Sequence, residues 1–226
     1  LATRPHLFSD TAVFVTPPQV ERMRAIIRAV EAVVALPAYR AAVTAESPEI
    51  ARFDPGPRGV FMGYDFHIGP AGPQLIEINT NAGGVLLNAA LARAQAACCE
   101  AMKPLIPAAA SFAALDDVFF RMFQREWRWQ RGDRPLASIA IVDDAPREQY
   151  LYPEFLLFER LFRRHGLQVV IADASELMLC HGRLWHEQLP IDLVYNRLTD
   201  FTLDEPQHAV LRQAYLEDAP PENLLA

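Results

Sequence analysis

A carboxylate and an amide stand two residues apart at the end of a predicted strand. Glu77 and Asn79 follow the apolar pair Leu75-Ile76. In an extended strand, residues i and i+2 point to the same side, so these two side chains share a face. Mg²⁺ takes oxygen ligands, typically one or two carboxylates beside substrate phosphates. The spacing therefore predicts a magnesium site at Glu77 and Asn79, and an ordinary strand end followed by a turn is the alternative.

The residues around this pair predict a hairpin. A segment at 63–67 and another at 74–80 flank Gly69-Pro70-Ala71-Gly72-Pro73, which is turn chemistry. Asp65 points away from its aromatic neighbours and could join Glu77 in one acidic site that Mg²⁺ would neutralise. A solvated hairpin face is the alternative for Asp65. Small residues after the second strand allow a ligand to approach the backbone closely.

This hairpin resembles that of the eukaryotic-type glutathione synthetases, which are circularly permuted ATP-grasp ligases. The match is near-identical over residues 76–80 and extends with gaps from about Gly59 to Phe201. The resemblance implies an ATP-dependent carboxylate–amine ligase that works through an acyl phosphate, with Mg²⁺ and ATP as cofactors. It implies that Glu77 and Asn79 serve the Mg²⁺–ATP site. It also implies that the following loop holds an amino-acid or peptide-like substrate through Asn81, Ala82, Gly83 and Gly84.

The resemblance assigns two further residues to substrate binding. Arg197 ends a predicted strand and matches the arginine that grips the γ-glutamyl substrate, although a surface salt bridge with Asp200 is the alternative. Glu148 matches a substrate-binding glutamate, and a helix N-terminal charge stabilised by the helix dipole is its alternative. The chain departs from the family pattern at three other positions. These are Tyr150 for an asparagine, Glu154 for a glutamine and Gly63 for an arginine, and they favour an acid or amine other than those of glutathione.

Composition excludes several classes of protein. The formal charge of the 226 residues is −7 and Lys103 is the only lysine, which argues against nucleic acid as a partner. No apolar run approaches the roughly 20 residues of a membrane span, and we expect no membrane partner. The cysteines show no Cys-x-x-Cys spacing, and a reduced, cytoplasmic protein is the simplest interpretation. A homodimer is left open.

Local patterns predict an α/β protein in parts. Residues 1–134 form a helical N-terminal region with the β-hairpin, and turn residues at 132–135 mark its end. Residues 135–205 form a small parallel-sheet domain, because strands at 139–144, 167–173 and 191–197 alternate with a helix over 148–165. Residues 206–226 form a helical tail. Together these parts make up a partial ATP-grasp architecture.

The phosphate-binding half of such a site is not recognisable in this chain. An ATP-grasp site needs cationic side chains on the phosphates and a mobile glycine-rich loop, and we expect those parts to lie C-terminal to Ala226. The function predicted from the sequence is thus an ATP-grasp ligase of which this chain supplies the substrate-binding and part of the metal-binding residues. A non-catalytic small-molecule-binding module is the alternative.

Overall fold

The computed structural model describes residues 4–9, 13–98, 114–217 and 224–225. The chain is a mixed α/β protein that divides into two units. Unit 1 comprises Leu1–Arg52 and Phe61–Ala82, and unit 2 comprises Phe53–Val60 and Gly83–Ala226. The helix over 115–131 therefore lies in the same unit as the parallel sheet, which differs from the boundary predicted at 132–135.

Unit 1 consists of helices followed by a hairpin. The helices are α1 (Pro17–Val34), α2 (Pro37–Thr44) and α3 (Glu49–Arg52), and the strands are β1 (Gly63–Gly69) and β2 (Gly72–Asn79). Thr16 forms a capping box with Gln19 at the start of α1, where Pro17 fits because the first turn needs no N–H donor. Helix α1 packs on β2, and the Tyr64 hydroxyl donates to Glu31 of α1 at 3.4 Å.

Unit 2 is built on a parallel sheet. Its strands are β3 (Ser138–Val142), β4 (Gln168–Ala172), β8 (Leu193–Asn196) and the short β9 (Leu224–Leu225), in the order β4-β3-β8-β9. All described pairs in this sheet are parallel. Every residue of β3 is buried, as expected for the central strand of a parallel sheet.

Three helices accompany this sheet. They are α4 (Val85–Cys98), α5 (Leu115–Arg131) and α6 (Tyr152–Arg164). Helix α6 packs on β3 and β4, and α4 and α5 pack on α6. Phe123 of α5 meets Phe158 and Phe162 of α6 and Tyr195 of β8, with ring centroids 4.9 to 5.8 Å apart and edge-to-face geometry. This aromatic cluster joins the helices to β8 and forms the centre of the core.

A second sheet and a last helix complete unit 2. Strands β5 (Leu177–Cys180), β6 (Arg183–His186) and β7 (Leu189–Ile191) form an antiparallel sheet that the sequence analysis missed. Helix α7 (Ala209–Leu216) lies within the predicted helical tail, whereas Leu224–Leu225 pairs with β8 as a strand. Strands this short carry too few residues for alternation to be recognised.

The first hairpin strand begins at Gly63, as the sequence predicts, whereas one predicted helix begins later than expected. Helix α6 begins at Tyr152 rather than at Glu148, because Pro153 is best placed in the first helical turn and the preceding residues form turns. Glu148 lies in one of these turns, where its N–H donates to the carbonyl of Ala145 at 2.8 Å. The prediction that Glu148 opens the helix is therefore wrong.

Two predicted helices run partly outside the described residues. The sequence predicts helices over residues 85–103 and 111–130, and the parts of these helices within 99–113 lie outside the described residues. None of the helices in the described part of the chain is long and apolar enough to cross a membrane.

Candidate functional site

The hairpin of unit 1 brings three oxygen-bearing side chains to one face. Asp65 of β1 stands directly opposite Glu77 of β2, and Gly63 stands opposite Asn79. Opposed residues in an antiparallel pair share a face, and so do residues i and i+2 of one strand. The Asn79 amide donates to Glu77 Oε1 at 3.0 Å. The structure thus places Asp65, Glu77 and Asn79 on one surface, as the sequence predicted.

Gly63 leaves room for Asn79 on this surface. A Cβ added at Gly63 would lie 3.2 Å from the Cβ of Ala82 and 3.4 Å from the Cβ of Asn79. Ala82 is held at this point because its N–H donates to the carbonyl of Phe61 at 3.3 Å. The Gly63 position therefore serves as the gap that lets the loop after β2 return to β1.

The hairpin donors fit a hard divalent cation. Two carboxylates and an amide oxygen are the ligand types that Mg²⁺ prefers, and Asp65, Glu77 and Asn79 are exposed, so water can complete the coordination shell. The hydrogen bond from Asn79 fixes Oε1 of Glu77 beside the amide. These residues could hold Mg²⁺ in the way that the resemblance implies.

The carboxyl edge of the parallel sheet in unit 2 carries Arg197. Its N–H donates to the Val142 carbonyl at 2.8 Å, so Arg197 continues the pairing between β3 and β8 by one residue. The residue is 9% exposed, and its guanidinium carbon lies 5.4 Å from the ring centroid of Tyr195. An aromatic face at this distance stabilises a buried cation. Arg197 is therefore a fixed positive charge at the sheet edge rather than a mobile surface side chain.

Gly83 packs directly against this arginine. A Cβ added at Gly83 would lie 2.7 Å from Arg197 Nη2 and 2.5 Å from Leu151 Cδ1. Both distances are shorter than real Cβ contacts, so only glycine fits without movement of the arginine or the leucine. Two residues that the sequence assigned to substrate binding, Gly83 and Arg197, are thereby brought together although they are far apart along the chain.

Glu154 of α6 fixes the loop that carries Gly83 and Gly84. Its Oε2 accepts from the Gly84 N–H at 2.6 Å, and its Oε1 accepts from the Leu86 N–H at 2.9 Å. The residue is 1% exposed. Both carboxylate oxygens thus satisfy donors at the start of α4, where a negative charge also complements the helix dipole. Glu154 therefore holds the backbone at the start of α4.

Asp143 is an acid at the same sheet edge that the sequence analysis did not select. Asp143 follows β3. Burial raises its pKa to about 6, and the negative charges of Asp144 and Asp173 also raise it. The N–H of Asp144 donates to the Asp143 carboxylate. This hydrogen bond and the positive charge of Arg197 lower the pKa of Asp143. A carboxyl group in this range can exchange a proton near neutral pH.

A buried histidine joins two loops of this edge. His208 is fully buried, its Nδ1 lies 2.7 Å from Asp200 Oδ2, and its Nε2 lies 2.9 Å from Asp144 Oδ1. Burial alone lowers the pKa of His208, but the hydrogen bonds and charges of Asp144 and Asp200 outweigh burial and raise it. The predicted alternative partner of Arg197, Asp200, is therefore engaged by His208. The sequence analysis did not select His208. The residue lies in a short turn before α7, and no motif surrounds it there.

The predicted residues belong to both units. Asp65, Glu77, Asn79, Asn81 and Ala82 belong to unit 1. Gly83, Gly84 and Arg197 belong to unit 2 and cluster around Glu154. Glu148 also belongs to unit 2 and is exposed.

Comparisons with protein-family models and with curated proteins find no match to this sequence. The resemblance to glutathione synthetases, with the activity and cofactors that it implies, stays a prediction from the residues.

Proposed function

We propose that this chain carries the substrate-binding part, and part of the metal-binding part, of an ATP-dependent carboxylate–amine ligase. The observation that carries the proposal is the contact of Gly83 with the buried guanidinium of Arg197. A fixed arginine beside a side-chain-free loop can bind a carboxylate through paired N–H donors while the backbone approaches the ligand. The substrate is an amino-acid-like or peptide-like acid.

The residues of unit 2 would position this acid. Arg197 pairs with a substrate carboxylate, and the Gly83–Gly84 backbone lines the ligand at close range. Glu154 keeps this backbone in place because it holds the N–H groups of Gly84 and Leu86. Asp143, with its pKa near 6, is placed at the same edge to accept a proton or to pair with a substrate ammonium. Positioning of this kind can supply much of the rate acceleration in group transfer.

The residues of unit 1 would hold the metal. Glu77, Asn79 and Asp65 present oxygen donors on one face of the hairpin, as Mg²⁺ requires. When bound, Mg²⁺–ATP supplies the phosphoryl group that activates the substrate carboxylate for attack by an amine. The part played by the hairpin is to neutralise phosphate charge, and neither unit needs a covalent nucleophile for this chemistry.

Phosphate release tests the proposal. The full gene product is incubated with ATP, Mg²⁺ and a panel of amino acids and γ-glutamyl dipeptides, each with and without an amine, and released phosphate is measured. We expect release that requires both acid and amine and that Glu77→Gln abolishes. Glu46→Gln is the matched control, because it makes the same charge change on an exposed residue of the same unit.

Two results would argue against a ligase. Phosphate release that is equal in wild type and Glu77→Gln would remove the metal role of the hairpin. Binding of an acid without any ATP turnover in the full gene product would favour the non-catalytic binding module, because the Arg197 and Gly83 surface lies within unit 2 and can bind a ligand by itself.

A further inference from the structure

We propose that His208 is a pH-dependent latch that ties the loop after β3 to the loop after β8 and so keeps Asp143 beside Arg197. The inference concerns the fold of unit 2 and does not require the proposed ligase activity. It starts from the geometry of the histidine, whose two ring nitrogens contact carboxylates from segments 64 and 8 residues away in the chain.

The ring bridges two loops that follow neighbouring strands. Asp144 lies two residues after β3, and Asp200 lies four residues after β8. The distances of 2.7 and 2.9 Å are those of strong hydrogen bonds. A neutral imidazole has one N–H and can donate to only one of these carboxylates, whereas an imidazolium donates to both. The doubly bonded state is therefore the protonated state.

The charges around the ring favour protonation. Asp144 and Asp200 contact it, and Glu205 presents a carboxylate oxygen within 4.8 Å of the His208 ligand atom. Asp173, after β4, is the fourth acid, and the charge of His208 contributes to lowering its pKa. Asp144, Asp200 and Glu205 thus lie close to one fully buried ring, and loss of its proton leaves them without this shared positive partner.

The latch extends to Asp143 through the backbone. The N–H of Asp144 donates to Asp143 Oδ1 at 2.9 Å, and the Asp144 carbonyl accepts from Gln149 at 2.6 Å. The N–H of Ala145 donates to Asp173 Oδ2 at 2.8 Å. Residues 143–145 therefore form a short loop fixed at several points, with the Asp144 carboxylate as its link to β8. When His208 loses its proton, that link loses one of its two hydrogen bonds.

The direction of the pH effect follows from the raised pKa. His208 binds its proton more tightly in the folded protein than in the unfolded chain, where its pKa is near 6.5. Its contribution to folding stability is thus complete below about pH 6.5 and is lost as the pH rises through the raised value. The latch is closed below about pH 6.5 and opens as the pH rises through the raised pKa of His208.

NMR of the whole chain tests this directly. With ¹⁵N-histidine labelling, the ring nitrogens of His208 are followed from pH 5.5 to 9.5, and the backbone amides of residues 143–145 are followed in the same titration. We expect His208 to stay doubly protonated above the ordinary histidine value near pH 6.5, and the three amides to shift with the same midpoint as His208. His165, which stacks on Phe120 and lies 3.4 Å from Asp117, provides the control substitution.

Two variants separate a latch from a merely buried ring. Asp200→Asn keeps the shape of the partner but removes its charge, so both midpoints should move together to lower pH. His208→Gln should abolish the titration of the three amides, and His165→Gln should leave it intact. A neutral His208 at pH 6, or amides 143–145 that titrate independently of it, would overturn the proposal. Should His208→Gln fail to fold, the Asp200→Asn titration decides.

Discussion

The Glu154 carboxylate accepts the backbone N–H of Gly84 at 2.6 Å, so a helix residue 70 positions later in the chain fixes the start of α4. Its other oxygen accepts the N–H of Leu86 at 2.9 Å. A helix usually satisfies its first N–H groups with a nearby Ser, Thr, Asp or Asn. Here the cap comes from a different helix, and it ties the Gly83–Gly84 loop to the sheet domain.

Glu154→Gln should therefore destabilise unit 2. Glutamine offers one acceptor and turns its NH₂ toward a backbone donor, so one N–H is left buried without a partner. The expected loss is about 2 kcal/mol of unfolding free energy. Urea unfolding followed by tryptophan fluorescence measures it, because Trp127, Trp129 and Trp185 all lie in unit 2.

Glu126→Gln is the matched control for that experiment. Glu126 is also 1% exposed, and its Oε2 accepts the N–H groups of Arg58 and Gly59 at 2.6 and 3.2 Å. Its Oε1 contacts no donor among the described residues. Glutamine can keep the accepting oxygen and place its NH₂ at the other position, so we expect a change below about 1 kcal/mol. Equal losses in the two variants would mean that the buried charge, rather than the pair of caps, is what matters at Glu154.

Gly83→Ala should disturb Arg197. The new methyl group would meet Arg197 Nη2 and Leu151 Cδ1 well inside contact distance, so the loop or the arginine has to move. Both atoms lie at the far ends of flexible side chains that can shift, so we expect the low end of an overpacking cost, about 1 kcal/mol. Thermal unfolding followed by circular dichroism measures the loss. Gly69→Ala is the control, because its Cβ would lie 3.6 Å from the nearest His67 atom, an ordinary contact. An unchanged melting temperature for Gly83→Ala would contradict the close packing.

Asp143→Asn should stabilise the protein near neutral pH. The folded state raises the pKa of Asp143 to about 6, so the folded protein holds this proton more tightly than the unfolded chain. The ionised carboxylate thus lowers stability as the pH rises from about 4 to 6, and it has no effect below about pH 4. We expect a gain of about 1 kcal/mol at pH 7, discounted because the group is partly exposed to solvent.

The pH dependence of that gain is the sharper measurement. Unfolding free energies of wild type and Asp143→Asn are compared at pH 4, 5, 6 and 7. The difference should be near zero at pH 4 and reach its full size above pH 6. A difference that is constant over this range would show that the substitution acts through packing and not through the charge.

Arg197→Lys should weaken binding of a carboxylate ligand. Lysine keeps the charge but lacks the planar fork that pairs with both carboxylate oxygens. Saturation-transfer NMR with the acid panel measures binding, and we expect a loss of about tenfold, which corresponds to roughly one hydrogen bond to a charged group. Arg147→Lys is the control on an exposed arginine of the same unit. Equal affinity of wild type and Arg197→Lys would place the ligand elsewhere.

Much of the local structure could be predicted from the sequence. Thr16 and Pro17 mark the start of α1, and the alternation around Glu77 predicts both the hairpin and the shared face of Glu77 and Asn79. Strands β3, β4 and β8 of the parallel sheet are apolar runs that end in polar residues, and this pattern predicts them. These features depend on neighbours within a few residues, so backbone periodicity and capping are enough to determine them.

Only the tertiary structure decided which distant groups meet. The contacts of Glu154 with Gly84, of Gly83 with Arg197 and of His208 with Asp144 join residues separated by 64 or more positions. The sequence contains each of these residues, but no local rule links them, because their approach depends on how α4, α6 and the strand ends pack. The pKa values of Asp143 and His208 have the same origin, since burial and neighbouring charges exist only after the sheet edge has formed.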